Sequence, residues 1–157
     1  MAVYTKINQK EINIINKNFN IDKIKSFKGI KQGIENTNYL LKSKKKKYIL
    51  TIFEKRVLQK EIPFFMKLMD NLNNSKINCP KPLKTRNNKY LIKLKNKTAC
   101  IVSFLEGKDK KILNINDCYA IGKTIARMHM VTNTMKLNRK NSMLSLIHIS
   151  EPTRQIR

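Results

Sequence analysis

Few side chains in this chain of 157 residues have the type and spacing of a catalytic or metal site. The three cysteines, Cys79, Cys100 and Cys118, lie far apart and lack the short spacing of metal or redox motifs. His129 has no second ligand four residues on and no nearby acid, so we interpret it as a core histidine. The 10 acidic residues are dispersed, and none forms a pair with magnesium-motif spacing. The sequence therefore predicts reduced thiols and no metal site.

The formal charge of +24, from 34 Lys and Arg against 10 Asp and Glu, bears on possible partners. Such a charge is typical of proteins that bind nucleic acid or an anionic membrane. Here lysine is scattered along nearly the whole chain among many Asn and Ile residues, while arginine is scarce and Trp is absent. Nucleic-acid surfaces more often use arginine with interleaved aromatic residues. We attribute the charge to AT-rich coding and predict no specific nucleic-acid partner.

No run approaches 18 apolar residues, and the N-terminus lacks the apolar region of a signal peptide. These observations, with the reduced thiols, predict a cytoplasmic protein without a membrane partner. The sequence gives no indication of the oligomeric state.

Hydrophobic periodicity predicts an α+β domain in which an antiparallel sheet has one helix packed on it. The first helix begins with a capping box formed by Asn8 and Glu11. The next elements are a three-stranded meander, a helix with Pro63 in its first turn, and a hairpin around Asn87-Asn88. The predicted strands are residues 24–30, 37–41, 48–53, 83–86, 90–94 and 99–105, and the predicted second helix is residues 61–74.

A final helix is predicted from a cap at Asn116 to about Met130, after a polar linker. One face of this helix carries its small and apolar residues, and we expect that face to point inward. Its members are Cys118, Ile121, Gly122, Ile125, Ala126 and His129.

Four stretches of the chain carry a resemblance to a known family. They are residues 27–39 (FKGIKQGIENTNY), 48–54 (YILTIFE), 62–69 (IPFFMKLM), and 102–107 (VSFLEG) taken with 121–129 (IGKTIARMH). In their order and spacing they resemble the homoserine kinases of the aminoglycoside-phosphotransferase and choline-kinase-like superfamily. The resemblance implies a kinase-like N-lobe at residues 1–105, then a hinge, a linker and the start of a helical C-lobe at residues 106–143. It also implies transfer of the ATP γ-phosphate to L-homoserine, with Mg²⁺ bridging the phosphates.

The resemblance assigns ATP-binding roles to residues in three segments. Residues 32–38, with Gly33, Asn36 and Asn38, correspond to a loop over the phosphates, although an ordinary hairpin turn would have the same composition. Thr51 stands where most kinases carry a phosphate-binding lysine, so the cation is unassigned. Further along, Ile49 would wall the adenine pocket, and the Ser103 carbonyl and Leu105 N–H would hydrogen-bond adenine.

The end of the chain differs from the rest in composition. Residues 144–154 (LSLIHISEPTR) match the translation of a transposon-end adapter used in library construction, so we expect residues 144–157 to be a non-native tail. The resemblance places the catalytic acid and the metal ligands after residue 143. We therefore expect an N-terminal kinase fragment without catalytic residues and without activity. Two alternatives remain: another small-molecule kinase, for choline, an aminoglycoside or a sugar, and a small basic nucleic-acid-binding protein.

Overall fold

The structure, a computed structural model, describes residues 3–33, 35–54, 58–108 and 110–135. The predicted tail at residues 144–157 lies outside them. Within the described residues the element order is the predicted one: helix, three strands, helix, two strands, helix. The elements are α1 (Gln9–Asn18), β1 (Ser26–Gly29), β2 (Thr37–Lys42), β3 (Lys47–Ile52), a 3-10 turn (Gln59–Glu61), α2 (Ile62–Asn74), β4 (Leu91–Leu94), β5 (Lys97–Ser103) and α3 (Ile115–Asn133).

The strands form one antiparallel sheet in the order β1-β2-β3-β5-β4. The predicted α+β class and the β1-β2-β3 meander are confirmed. Asn38 on β2 lies opposite Thr51 on β3, and Thr51 lies opposite Cys100 on β5. Because side chains alternate along each strand, residues opposite each other across the sheet share a face. This register therefore fixes which side chains line each face of the sheet.

One face, here called the α1 face, carries the larger core. The predicted capping box is present, since Asn8 accepts a hydrogen bond from the Lys10 N–H and Glu11 accepts one from the Asn8 N–H. The helix then buries Ile12 and Ile15 completely against the sheet. The sheet residues of this core are Tyr39, Leu41, Tyr48, Leu50, Ile52, Leu94, Ala99 and Ile101.

The opposite face is here called the α2 face. The helix α2 covers only its β4–β5 part. Ile62 and Met66 of this helix are buried with Cys100 of β5, and Val102 packs against them. The prediction of one packed helix is therefore incomplete, because α1 and α2 cover the two faces of the sheet. The β2–β3 part of the α2 face, with Asn38, Ile49 and Thr51, is only partly buried.

The hairpin predicted from residues 83–86 and 90–94 is wrong in its pairing. The turn exists, since the Thr85 N–H donates to the Lys89 carbonyl at 2.7 Å, but the Leu83 N–H donates to Ile101 on β5. The strand β4 forms its hairpin with β5 through Lys95 and Asn96, which have φ of 47° and 62°. Positive φ at both central residues is the geometry of the tight turn that matches strand twist.

The helix α3 begins at a different cap from the one predicted. Asn114, rather than Asn116, accepts from the Asp117 N–H, and Asp117 accepts in turn from the Asn114 N–H. The predicted inward face of α3 is exposed within the described structure, and His129 is exposed with it rather than in a core. No helix among the described residues is long and apolar enough to cross a membrane.

The packing of α1 generates a stability prediction with a built-in comparison. Ile15 is fully buried, whereas its neighbour Ile14 is 40% exposed. We expect Ile15→Ala to lower the free energy of unfolding by about 2–5 kcal/mol, because it leaves a cavity under the sheet. The control Ile14→Ala should change it by less than about 0.5 kcal/mol. Urea titration measures both, and equal losses would contradict the packing of α1.

Candidate functional site

The predicted site residues of β2 and β3 form a continuous surface on the α2 face. Asn38 and Thr51 face each other across the two strands, and the Thr51 hydroxyl donates to Asn38 Oδ1 at 2.8 Å. Ile49 shares this face one pleat away, opposite Leu40 on one side and Val102 on the other. The structure therefore brings together a polar pair and an apolar floor beside α2.

Gly33 lies near Asn38, in the turn that leads into the start of β2. Its φ of +107° is in the region that L side chains rarely adopt, so this turn favours glycine for a conformational reason. A Cβ added at Gly33 would lie 3.9 Å from Asn38 Nδ2. Because Asn38 Oδ1 accepts from Thr51, its donor nitrogen is the end nearer the Gly33 turn. The Asn38 amide N–H groups therefore lie at the Gly33 end of the α2 face.

The predicted loop residue Asn36 does not join this surface but contacts the chain beyond β3. Asn36 Oδ1 accepts from the main-chain N–H of Glu54 at 3.3 Å. Ile34, in the middle of the loop, lies outside the described residues, as does Lys55.

The predicted hinge residues lie where β5 leaves the sheet towards α3. The Ser103 N–H donates to the Lys81 carbonyl, and the Ser103 hydroxyl accepts the Lys81 N–H, both at 2.9 Å. One residue later the Phe104 N–H donates to the Lys47 carbonyl at 3.3 Å, and Leu105 is then 39% exposed. The hinge segment thus begins beside Ile49 and Val102, at the opposite end of the α2 face from Gly33.

A cation on β3 anchors this segment to the sheet. The Lys47 ammonium lies 2.8 Å from Glu106 Oε1 and 5.2 Å from the centroid of the Phe104 ring. Both contacts are solvent-exposed, so each contributes modestly to stability, but together they hold residues 104–106 near the start of β3.

Sequence reasoning missed a polar cluster on the α1 face, here called the Glu54 cluster and made up of Thr5, Thr37, Glu54 and Lys97. Glu54 Oε1 accepts from the hydroxyls of Thr5 and Thr37, each at 2.7 Å, and Lys97 forms an ion pair with Oε2. The Glu54 side chain is only 11% exposed. The four residues of the Glu54 cluster come from four separate parts of the chain, so no local sequence motif could have predicted the cluster.

The cluster keeps Glu54 ionised. Burial by itself raises the pKa of this carboxyl, but the hydrogen bonds from Lys97, Thr5 and Thr37 and the Lys97 charge outweigh it. The net result is a pKa below the ordinary value of 4.5.

The Lys97–Glu54 pair does not replace the strand lysine that Thr51 lacks. Since Cys100 faces α2, the alternation of β5 puts Lys97 on the other face of the sheet, with Glu54 and the buried Thr37. Phosphates bound near Asn38 and Thr51 would lie across the sheet from this ammonium group.

The described residues do not fit a magnesium site by themselves. No group of three or more His, Cys, Asp or Glu side chains among them could hold a metal ion. Cys79, Cys100 and Cys118 form no disulfide in the structure.

The model of the phosphotransferase enzyme family matches residues 26–144. This match covers well over half of the chain, and the chain therefore belongs to that family. Within it, the chain is similar to curated homoserine kinases: it is 38% identical over 143 residues to the one from Parvibaculum lavamentivorans and 39% identical over 143 residues to the one from Paramagnetospirillum magneticum. Each alignment covers 91% of this chain and 44% of the relative, so the chain spans less than half the length of these proteins.

The fold is also that of solved phosphotransferases. A spectinomycin phosphotransferase in complex with ADP and spectinomycin superposes with a TM-score of 0.68 over 88% of this chain and 43% of that one, at 18% identity. At this identity the likeness establishes the fold alone, and it confirms the predicted kinase-like architecture.

The lowered pKa of Glu54 generates a pH prediction. A depressed folded-state pKa contributes stability that is present above about pH 4.5 and is lost as the pH falls through the folded value. We expect Glu54→Gln to lower the free energy of unfolding by about 1–3 kcal/mol near pH 7, because Lys97 loses its negatively charged partner. The difference in the free energy of unfolding between the unaltered chain and Glu54→Gln should become smaller below pH 4.5. Urea unfolding at pH 7 and at pH 3.5 measures this difference.

The matched control removes an exposed carboxylate instead. Glu106 is 75% exposed in its pair with Lys47, so Glu106→Gln should cost less than about 1 kcal/mol at either pH. A Glu54→Gln gap that stays constant between the two pH values would contradict the ionised, hydrogen-bonded carboxylate.

Proposed function

We propose that this chain forms the nucleotide-binding part of a kinase that transfers the γ-phosphate of ATP to L-homoserine. The observation that carries the proposal is the surface on the α2 face. One end of this surface has the Gly33 turn and the Asn38 amide donor. The other end has the apolar residues Ile49 and Val102, beside the point where the hinge segment leaves β5. The similarity to curated homoserine kinases over 91% of the chain supports the substrate.

In this proposal ATP lies along the α2 face of the sheet. Adenine packs on Ile49 and hydrogen-bonds to the Ser103 carbonyl and the Leu105 N–H as they leave β5. The phosphates lie under the Gly33 turn, where the Asn38 amide donates to phosphate oxygens and Thr51 fixes the orientation of that amide. Asn36 holds the turn through Glu54 rather than through the nucleotide.

The residues that would complete the reaction are proposed to lie in the part of the relatives that this chain does not span. Phosphoryl transfer needs an acid to orient the acceptor hydroxyl and ligands for Mg²⁺. The described residues do not fit that metal, so no step is assigned to them here. We propose residues 1–105 as the nucleotide-binding lobe and residues 106–143 as the hinge and the start of a second lobe, in a cytoplasmic enzyme.

Two alternatives have distinct experimental outcomes. A kinase for choline, an aminoglycoside or a sugar would bind the same nucleotide but phosphorylate another acceptor. A basic nucleic-acid-binding protein would show sequence preference as well as the steep salt dependence that the +24 charge alone produces.

Nucleotide binding by the chain itself tests the proposal. We expect the 157-residue chain to bind ADP, and Ile49→Ala to weaken that binding about tenfold, because the adenine loses apolar contact. Isothermal titration calorimetry measures both dissociation constants.

Leu91→Ala is the matched control, because Leu91 lies on the same face but packs against α2. It should lower stability yet leave the ADP dissociation constant within about twofold. Equal weakening by the two variants, or no ADP binding by the unaltered chain, would overturn the proposed site.

The proposal also has a consequence for turnover by this chain. We expect the 157-residue chain not to phosphorylate L-homoserine, because the described residues supply no metal-binding group and the sequence has no His-x-Asp catalytic loop. A coupled assay of ADP release measures this. The enzyme read from the uninterrupted gene should phosphorylate homoserine in preference to choline or an aminoglycoside. Turnover by the chain alone at about 1–100 per second, the range of intact kinases, would show that the active site is misplaced.

A further inference from the structure

Glu54 contacts both residues that immediately precede Asn38. Its main-chain N–H donates to Asn36 Oδ1, and its carboxylate accepts from the Thr37 hydroxyl at 2.7 Å. Glu54 therefore fastens the C-terminal end of the loop at residues 32–38 from beneath.

The contact to Thr37 bears on Asn38 because the two residues are neighbours in β2 with opposite faces. Thr37 is fully buried on the α1 face, while Asn38 projects from the α2 face. A strand residue whose side chain is fixed on one face constrains the direction of the next side chain on the other. The position of the Asn38 amide thus depends on hydrogen bonds made on the far side of the sheet.

The Thr37 hydroxyl is held from several directions. It accepts from the main-chain N–H groups of Tyr4 and Thr5, at 3.0 and 3.1 Å, while it donates to Glu54. Lys97 in turn bonds both the Glu54 carboxylate and the Thr5 hydroxyl. The Thr37 hydroxyl thus uses its one donor and both acceptor positions, which fixes its orientation and favours a preorganised binding group beside it.

Stability alone is a weak reason for such a cluster. An ion pair with one buried partner is often no more stabilising than apolar residues of similar volume, because the Glu54 carboxylate, at 11% exposure, must leave most of its water. At the strand ends beneath a ligand-binding turn, the same cluster supplies fixed geometry instead.

We propose that Glu54, through Thr37, is a positioning residue that sets residues 36–38, and with them the Asn38 amide, for the nucleotide phosphates. This inference rests on the proposed nucleotide site. In this proposal Glu54 does not contact the nucleotide. Loss of its bond to Thr37 should weaken binding of the phosphates but not binding of the adenine.

The test compares ADP with adenosine, which lacks phosphates, by calorimetric titration of the full chain. Thr37→Val keeps the side-chain shape but removes the hydroxyl. We expect it to weaken ADP binding about tenfold and to leave adenosine binding within about twofold. The separate variant Thr37→Ser retains the hydroxyl and should bind ADP with nearly the affinity of the unaltered chain. If Thr37→Val does not fold, Glu54→Gln is measured in its place against the same two ligands.

Tyr39→Phe is the matched control. The Tyr39 hydroxyl is also buried under the N-terminal segment, where it donates to the Thr5 carbonyl and accepts from the Ile7 N–H. Among the described residues it forms no hydrogen bond with Glu54 or with Thr37. It should lower the thermal midpoint comparably and leave the ADP to adenosine ratio unchanged.

The outcomes separate the two proposals. Equal loss of ADP and adenosine binding in Thr37→Val, or unchanged ADP binding, overturns the positioning role alone. Absence of ADP and adenosine binding by the unaltered chain overturns the nucleotide site, and the positioning role with it.

Discussion

The alternation of side chains along β2 and β3 is the constraint on which the rest of the structure depends. Thr37, Tyr39 and Leu41 of β2 are buried on the α1 face, so Asn38 and Leu40 must project to the other side. A register slip of one residue would exchange the two sets and put Asn38 into the core. The large buried set on the α1 face prevents that slip. Burial of apolar residues on one face therefore determines the placement of the candidate binding groups on the other.

The two faces are also coupled through polar groups at the strand ends. Glu54 and Lys97 are 43 residues apart, yet they meet at the end of the sheet where the loop at residues 32–38 returns into β2. Two hydroxyls and an ammonium group satisfy the carboxylate, which is what makes a charge tolerable at 11% exposure. The same arrangement attaches the N-terminal segment through Thr5. The end of the loop that leads into β2 is thus held by hydrogen bonds to Glu54, which Thr5 and Lys97 bond in turn.

The surface formed by Gly33, Asn38, Thr51 and Ile49 on the α2 face has different chemistry at its two ends. The Gly33 end presents a turn with positive φ and an amide, which suit an anion, whereas the β5 end presents apolar side chains and main chain leaving the sheet. The Lys47 contacts to Phe104 and Glu106 hold the departing main chain close to β3. This polarity along one sheet face, in a member of the phosphotransferase enzyme family, is what an elongated ligand with a flat base and a charged tail would require.

The sequence by itself determined the features that depend on neighbours within a few residues. The Asn8–Glu11 capping box, the meander and the order of elements all follow from local hydrogen bonds and apolar periodicity, and the structure contains each of them. The resemblance pointed to Gly33, Asn38 and Thr51, which the structure brings side by side; their nucleotide roles stay predictions. Only the tertiary structure decided the rest. Asn87-Asn88 correctly indicated a turn, but Leu83 pairs with Ile101 because β5 offers it an edge. The Glu54 cluster joins groups 17 to 92 residues apart, and such contacts are selected by the packing of the whole sheet, which no short stretch of sequence encodes.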